Sequence, residues 1–528
     1  MEQRKERKKE QKVYAAFGRG ARRDWKRAAR KTVFSHYWMA IMVCLVAAFL
    51  GTEFTGSLES LHFTRQKWDV ISNFLASFGR PGAAANSRGV FAIAVNKIAD
   101  GSLHNIVNNT IMSLAGSSEF WQSFGIVVSS LVSMTYWVLV THTFVVILRR
   151  LFMEMRVYEE VPPYRALYLH SARCWGRTSL ALLRVAIQRG LWWLTIIGGA
   201  IKTFSYYLCG FILAENPTMK GGDAIALSRK MMNGHKWECF LMELSFVPWH
   251  LLSLATFGLS SLFYSSAYLS AARCEFYAAV RAQVKAEGEA QALRDTYLFE
   301  KASAKTLRRA YNDLGKPAEK LPERVYGNKV TRFFGECLGV TLFVNPQDVA
   351  REKIQDREYR LRYMRRCEQG LSYPIRLSPL LQYEHKDHEP ALFTRKYPVT
   401  TLVLLFFLFS IIGWCWEVVL HLVSDGTFVN RGVLHGPWLP IYGTGGVLVL
   451  LALYKLRDKP WLEFWATVVV CGVVEYFTAY YLETVYDRRW WDYAGYFLNL
   501  HGRICAEGLL VFGLGGMAVV YGVAPLFD

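Results

Sequence analysis

Apolar residues along this chain gather in long blocks separated by polar, mostly basic segments, instead of alternating at a soluble helix or strand period. Blocks of about 20 residues match a hydrocarbon layer about 30 Å thick at about 1.5 Å rise per residue. In lipid the backbone satisfies its hydrogen bonds only as helix or closed barrel, and these blocks are too long for barrel strands. The pattern predicts an all-α, polytopic membrane protein. Spans are expected near 36–54, 122–148, 239–258 and 260–280, then near 399–422, 434–455, 461–483 and 504–524. Residues 178–214 read either as one long helix carrying Arg184 and Arg189 or as a hairpin broken at Gly198–Gly199. The hairpin gives about ten transmembrane helices.

These blocks fall into two units. Residues 36–280 hold about six helices and residues 397–528 hold four. Between them, 281–396 is a hydrophilic cytoplasmic linker with helical periodicity over 283–312, broken at Pro317 and Pro322. Residues 1–35 are a basic cytoplasmic arm. Part of it is either a helix on the membrane surface, with Trp25 and Phe34 at the interface, or a solvated tail. Lysine and arginine concentrate in 1–35, 149–176, 220–236 and 455–459, which by the positive-inside rule face the cytoplasm. Both termini are therefore expected inside a cell membrane. Asp223–His235 suits a short amphipathic helix ending near Gly234, and Glu243 and His250 are expected to find structural partners.

The net charge of +19 fits this reading better than nucleic-acid binding, because the cations lie beside apolar blocks where anionic lipid attracts them. No groove-reading motif or aromatic RNA-binding signature is present. The ten cysteines form no CxxC pair and no regular spacing, which argues against a disulfide framework and a zinc site. Leu314-Gly315-Lys316-Pro317 lacks the glycine spacing and hydroxyl residue of a phosphate-cradling loop. Neither an ATPase motif nor a known catalytic constellation appears, and no cofactor or metal is implied. The partners expected are the bilayer and either a separate ATPase subunit or a second copy of the chain.

Ionisable residues inside a bilayer are expensive and mark function by default. The first unit reads as carrying few at depth and the last unit many. Glu417, Arg431, Glu483, Arg503 and Glu507 share roughly one outer depth, and Glu475 lies well inside its helix. Arg503 and Glu507 are spaced to pair on one helix. Gly432, Gly436, Pro437, Pro440 and Gly443 interrupt the start of the second helix of this unit. They permit either a re-entrant segment or a kink. Asn430 stands beside Arg431, while Asp492, Asn499 and His501 either build the outer loop or cap the same cavity. The candidate substrate-binding set is therefore Glu417, Asn430, Arg431, Glu475, Glu483, Asp492, Asn499, Arg503 and Glu507. A packing network of buried ion pairs is the competing reading.

The stretch LWWLTIIGGAIKTFSYYLCGFILAENPTMKGGDAIALSRKMMNGHKWECFLMELSFVPW resembles the bacterial membrane-protein family known as domain of unknown function 975. The resemblance covers about 30–280. That family typically has Pro-Gly where this chain has Gly198–Gly199, and commonly Asp at Glu215. GWCWEVVLHLVSDGTFVNRGVLHGPWLPIYGTGG with EYFTAYYLETVYDRRWWDYAGYFLNLHGRICAEG resembles the CmpB-like "putative ABC-transporter type IV" family, which includes vertebrate transmembrane-protein-229 proteins. This second match covers about 398–525 and implies a permease. The expected function is thus a permease-like protein taking a small polar or cationic solute through an outward-facing polar cavity. The alternatives are a membrane-embedded enzyme on a lipid-linked substrate, with Arg431 and Arg503 clamping a phosphate, or a non-catalytic scaffold.

Overall fold

The computed structural model describes residues 17–54, 131–314, 328–379, 395–425 and 436–527, apart from a few positions inside those ranges. The chain is all-α, with one pair of two-residue strands among the described residues. The loop signals at Gly79–Pro81 and Asn105–Asn109, Pro317 and Pro322, and the start of the span near 122–148 lie outside the described residues.

The helices of the first unit are α1 (Arg19–Ser35), α2 (Tyr37–Phe49), α3 (His142–Val157), α4 (Trp175–Trp193), α5 (Ile196–Ser205), α6 (Cys209–Glu215), α7 (Gly221–Met231), α8 (Lys236–Leu244), α9 (Val247–Ala255) and α10 (Ser266–Ala286). In α1, Ala21, Trp25, Ala29 and Val33 recur every four residues and form one buried stripe. That stripe docks on α10, with Trp25 edge-on to Phe276, so from Arg19 onward the basic arm is not a solvated tail. The chain breaks at His36, and α2 leaves α1 at 97°.

Residues 175–215 adopt the hairpin, not the single long helix. The turn falls at Leu194–Thr195, just before the glycine pair, because Gly199 closes directly on the Trp193 backbone, where a Cβ would collide. The span expected near 239–258 is divided, since Pro248 starts a new helix in the first turn of α9. The amphipathic helix expected at 223–235 is present as α7, with Gly234 at φ 81° just beyond its end. Three helices among the described residues are long and apolar enough to cross a membrane: Ile196–Glu215, Val399–Val418 and Leu462–Tyr486. The bent α1–α2 pair makes four if it is counted as one span, so the ten crossings expected are only partly accounted for.

The hydrophilic segment after α10 is folded against both units. Its helical periodicity yields only α11 (Ala304–Ala310) between Glu287 and Asn312, capped by the Ser303 side chain on the Thr306 amide. Leu293, Leu298 and Leu307, and later Leu361, Cys367 and Tyr373, belong to the first unit's core. Phe334, Leu338 and β1 (Val340–Thr341) pack instead with the second unit. The connection between these two attachments is α12 (Lys329–Phe333) before β1 and α13 (Pro346–Glu368) after it. At 23 residues, α13 is about 35 Å long. β1 pairs in parallel with β2 (Tyr397–Pro398), at the foot of the second unit.

The second unit is α14 (Val399–Asp425), α15 (Pro440–Ala452), α16 (Pro460–Tyr486) and α17 (Ala506–Ala518). Small residues let these helices touch closely. Gly443 and Gly446 of α15 lie on Phe406 and Phe409 of α14, while Gly513 and Gly516 of α17 lie on Phe464 and Thr467 of α16.

The folded linker is pinned to the first unit by charge. Arg150, on α3, donates to Glu154 at 2.9 Å and reaches Asp295 at 2.9 Å, and Arg165 donates to Glu154 at 2.9 Å. Tyr373 donates to Asp295 at 2.7 Å, and Asp295 has no exposed surface. Burial by itself raises a carboxyl pKa, but Arg165 and Arg150 outweigh it and hold Glu154 below its ordinary range. Because removing one partner strands a buried charge, Asp295→Ala is expected to destabilise the protein by about 3–5 kcal/mol. The expected readout is a lower unfolding midpoint in detergent and earlier tryptic cleavage at Arg294. Glu154 stabilises fully above about pH 4.3, the unfolded glutamate value. That contribution fades as pH falls through its lower folded value, so the wild-type midpoint should drop there while Glu154→Gln changes less with pH.

Candidate functional site

Backbone geometry sets the start of α15 level with the middle of α14. At Gly436 φ is 114°, the Trp438 amide bonds back to the Gly436 carbonyl at 3.0 Å, and Leu439 is extended. The Leu439 amide donates to the Ser410 carbonyl, midway along α14, at 2.9 Å. Pro440 then starts a helix of 13 residues, about 20 Å long and so about two-thirds of a bilayer core. The interruption expected at Gly436, Pro437 and Pro440 is thus a short helix entered through non-helical backbone; Gly432 lies outside the described residues. Gly413 of α14 and Tyr442 of α15 are in direct contact there.

Two of the expected carboxylates converge near this helix start. Tyr442 donates to Glu417 Oε1 at 2.6 Å, and Tyr493 donates to Glu475 Oε1 at 3.0 Å. Tyr442 and Tyr493 each feel the charge of both glutamates, so the four side chains form one electrostatic group. Glu475 is 13 residues beyond Leu462, about 20 Å along α16, near the middle of the span. Its Oε2 is buried and, among the described residues, has no hydrogen-bond partner. Tyr493 arrives from the outer loop, which folds down over α16 and is tied by the Tyr493 amide to the Gly502 carbonyl at 2.7 Å.

The remaining candidates form a second, more exposed group. Arg503 donates to Glu483 Oε2 at 2.8 and 3.1 Å, and Arg489 donates to Glu483 Oε1 at 2.8 Å. The recess they line with Trp491 has room for about one water molecule. Arg503 does not share a helix with Glu507 as expected. It stands in the turn before α17, at a left-handed His501–Gly502 corner, and therefore points back to α16. Nothing is described of the Glu507 side chain, and Asn430 and Arg431 lie outside the described residues. Asp492 accepts from the Ala494 amide at 2.9 Å and Asn499 from the Gly502 amide at 3.2 Å, so both shape the loop. His501 meets the Tyr476 hydroxyl at 2.9 Å, a structural contact.

The first unit also buries charged side chains among its helices. Glu53 pairs with Arg149 and, at 3.3 Å, with Arg273; Arg273 holds Glu243 at 2.8 Å, and Tyr207 also donates to Glu243. Arg281 donates twice to Glu215, at 2.6 and 2.8 Å, with Tyr277 adding a third bond at 2.9 Å. Arg156 pairs with Glu275 at 3.0 Å. Glu243 thus has the structural partners expected of it, whereas His250 is exposed on α9. One signal was visible beforehand: Glu215 sits where the resembling family commonly carries another carboxylate, Asp. Among the described residues no group of three or more His, Cys, Asp or Glu is arranged to hold a metal ion.

Residues 29–284 match the family described as "Protein of unknown function (DUF975)", and residues 404–528 match the family described as "Putative ABC-transporter type IV". The two units of the chain thus carry, in this order, the two resemblances read from their motifs. No curated protein and no solved structure matches the chain. The family matches and the apolar helices together support a membrane protein.

Tyr493 is the hydrogen-bond donor to Glu475, so Tyr493→Phe should destabilise the second unit by about 1–3 kcal/mol by leaving a buried carboxylate undonated. Thermal unfolding of the detergent-solubilised protein reads this directly. Adding Glu475→Gln to Tyr493→Phe should recover part of the loss.

Proposed function

We propose that the chain is a multi-pass, permease-like protein of the cell membrane whose second unit binds a small cation or polar cationic solute at Glu475 and Glu417. One observation carries the proposal: a glutamate at mid-span has one carboxylate oxygen donated to by Tyr493 and the other, among the described residues, buried without a hydrogen bond. Glu215, by contrast, is matched at both oxygens by Arg281 and Tyr277. An intramembrane carboxylate left short of donors suits a ligand that brings positive charge. The positive N-terminal end of α15 lies beside the Tyr442–Glu417 pair. Both termini and the turn carrying Lys455 and Lys459 face the cytoplasm in this reading, and the Glu483–Arg503 pair forms the outer rim.

A lipid-phosphate clamp finds less support, since Arg503 already spends its guanidinium on Glu483 and the Tyr476 hydroxyl. With no nucleotide-binding motif in the chain, any ATPase would be a separate subunit. Self-association is the other partnership left open. The test is flux into proteoliposomes holding the full-length protein, using K⁺, Na⁺ and guanidinium as probes. Glu475→Gln should lower the flux of the accepted cation about tenfold or more, equivalent to about 1.4 kcal/mol of binding. Glu483→Gln should reduce it less. Wild-type flux from Glu475→Gln and Glu417→Gln alike, for every cation carried, would sink the proposal.

A further inference from the structure

The contacts of α1 and α2 with α10 trace a path that enters and returns. Descending α1, Trp25 meets Phe276, Arg30 lies over Tyr268 at 5.8 Å, and Phe34 meets Tyr264 at 5.9 Å. After the bend at His36 the order reverses along α10. Tyr37 donates to the Phe263 carbonyl at 2.9 Å, Cys44 reaches Ser270, and Glu53 pairs with Arg273. Both limbs therefore end at the same level of α10, about 15–18 Å from the bend. A true crossing would leave its two ends separated by about 30 Å of hydrocarbon.

The surfaces agree with this path. Opposite its buried stripe, α1 exposes Arg19, Arg23, Arg27, Arg30 and Lys31 against one exposed acid, Asp24. A helix with five exposed cations cannot lie in hydrocarbon, where nothing would match them. Yet the bend itself exposes Phe34 at 62% and Trp38 at 74%, large apolar groups turned away from the protein. A basic strip ending in an exposed aromatic tip suits an anionic headgroup layer above an acyl layer.

We propose that α1–α2 is a re-entrant hairpin that dips Phe34 and Trp38 into one leaflet and holds anionic phospholipid headgroups along Arg19, Arg23, Arg27, Arg30 and Lys31. The hairpin belongs to the first unit and is independent of the solute site.

Two measurements on the full-length protein test it. In sealed vesicles, Gly20→Cys and Gly51→Cys, each compared with wild type, should react with a membrane-impermeant maleimide from the same side. Reaction from opposite faces would overturn the re-entrant path. In nanodiscs of phosphatidylcholine with 30% phosphatidylglycerol (about one lipid in three, matching an anionic leaflet), spin-labelled phosphatidylglycerol should be immobilised more than spin-labelled phosphatidylcholine. The triple variant Arg23→Gln, Arg27→Gln, Lys31→Gln alters only exposed side chains and should cut that excess about threefold or more. Equal immobilisation of the two lipids on the wild type would overturn the headgroup assignment.

Discussion

Moving a charged side chain out of water is costly, and its recovery requires a partner held in good geometry. That constraint organises this protein. The first unit meets it by closing its helix bundle around matched pairs. Glu53 and Glu243 balance Arg149 and Arg273, Glu215 balances Arg281, and Glu154 with Asp295 balances Arg150 with Arg165. Each set joins segments far apart in the chain, so the ion pairs fix which helices neighbour which. The last set also binds the hydrophilic segment after α10 to the first unit. Through α13 and the β1–β2 pair, that same segment reaches the foot of the second unit.

The second unit instead brings hydroxyl groups to its deeper acids, Tyr442 to Glu417, Thr467 to Glu463 and Tyr493 to Glu475. Its exposed acid, Glu483, is held by Arg489 and Arg503. Deeper in, Glu475 relies on a tyrosine hydroxyl, and one of its oxygens is buried, among the described residues, without a donor. Close by, the chain is non-helical from Gly436 to Leu439 and a helix starts at Pro440, level with Ser410 of α14. In a bilayer, non-helical backbone is tolerated only where protein or a polar cavity surrounds it. The same corner therefore combines non-helical backbone, a helix N-terminus and a buried acid held by a hydroxyl.

Much of the fold was legible because lipid imposes a coarse code of block length and flanking charge. That code located the spans around Val399–Val418 and Leu462–Tyr486, the 178–214 hairpin and the interrupted start of α15. It failed where the deciding contact is remote in sequence. Arg273 and Glu53 are 220 residues apart, and nothing local to either announces the other. The first unit therefore looked poor in buried charge although its core is built on it. The hydrophilic composition of 281–396 likewise concealed apolar anchors such as Leu298 and Tyr373, too sparsely spaced to form a periodic stripe. At the site, the glutamates were recognisable by their depth, but their tyrosine donors were not. Tyr493 lies 18 residues beyond Glu475, in the loop after α16, and only the fold of that loop brings it to Glu475. The break in the expected helical spacing of Arg503 and Glu507 was illegible for a related reason. The left-handed His501–Gly502 corner delays α17 to Ala506, which cancels the helical spacing between them.

The most direct test of the site is a cryo-EM map of the full-length protein in lipid nanodiscs, recorded with Tl⁺ as a dense stand-in for a small cation. The account predicts added density against the unpaired Oε2 of Glu475, within reach of Glu417, and its loss in Glu475→Gln. Apolar side chains or an arginine packed against that oxygen, with no added density in Tl⁺, would contradict it and return Glu475 to a purely structural role.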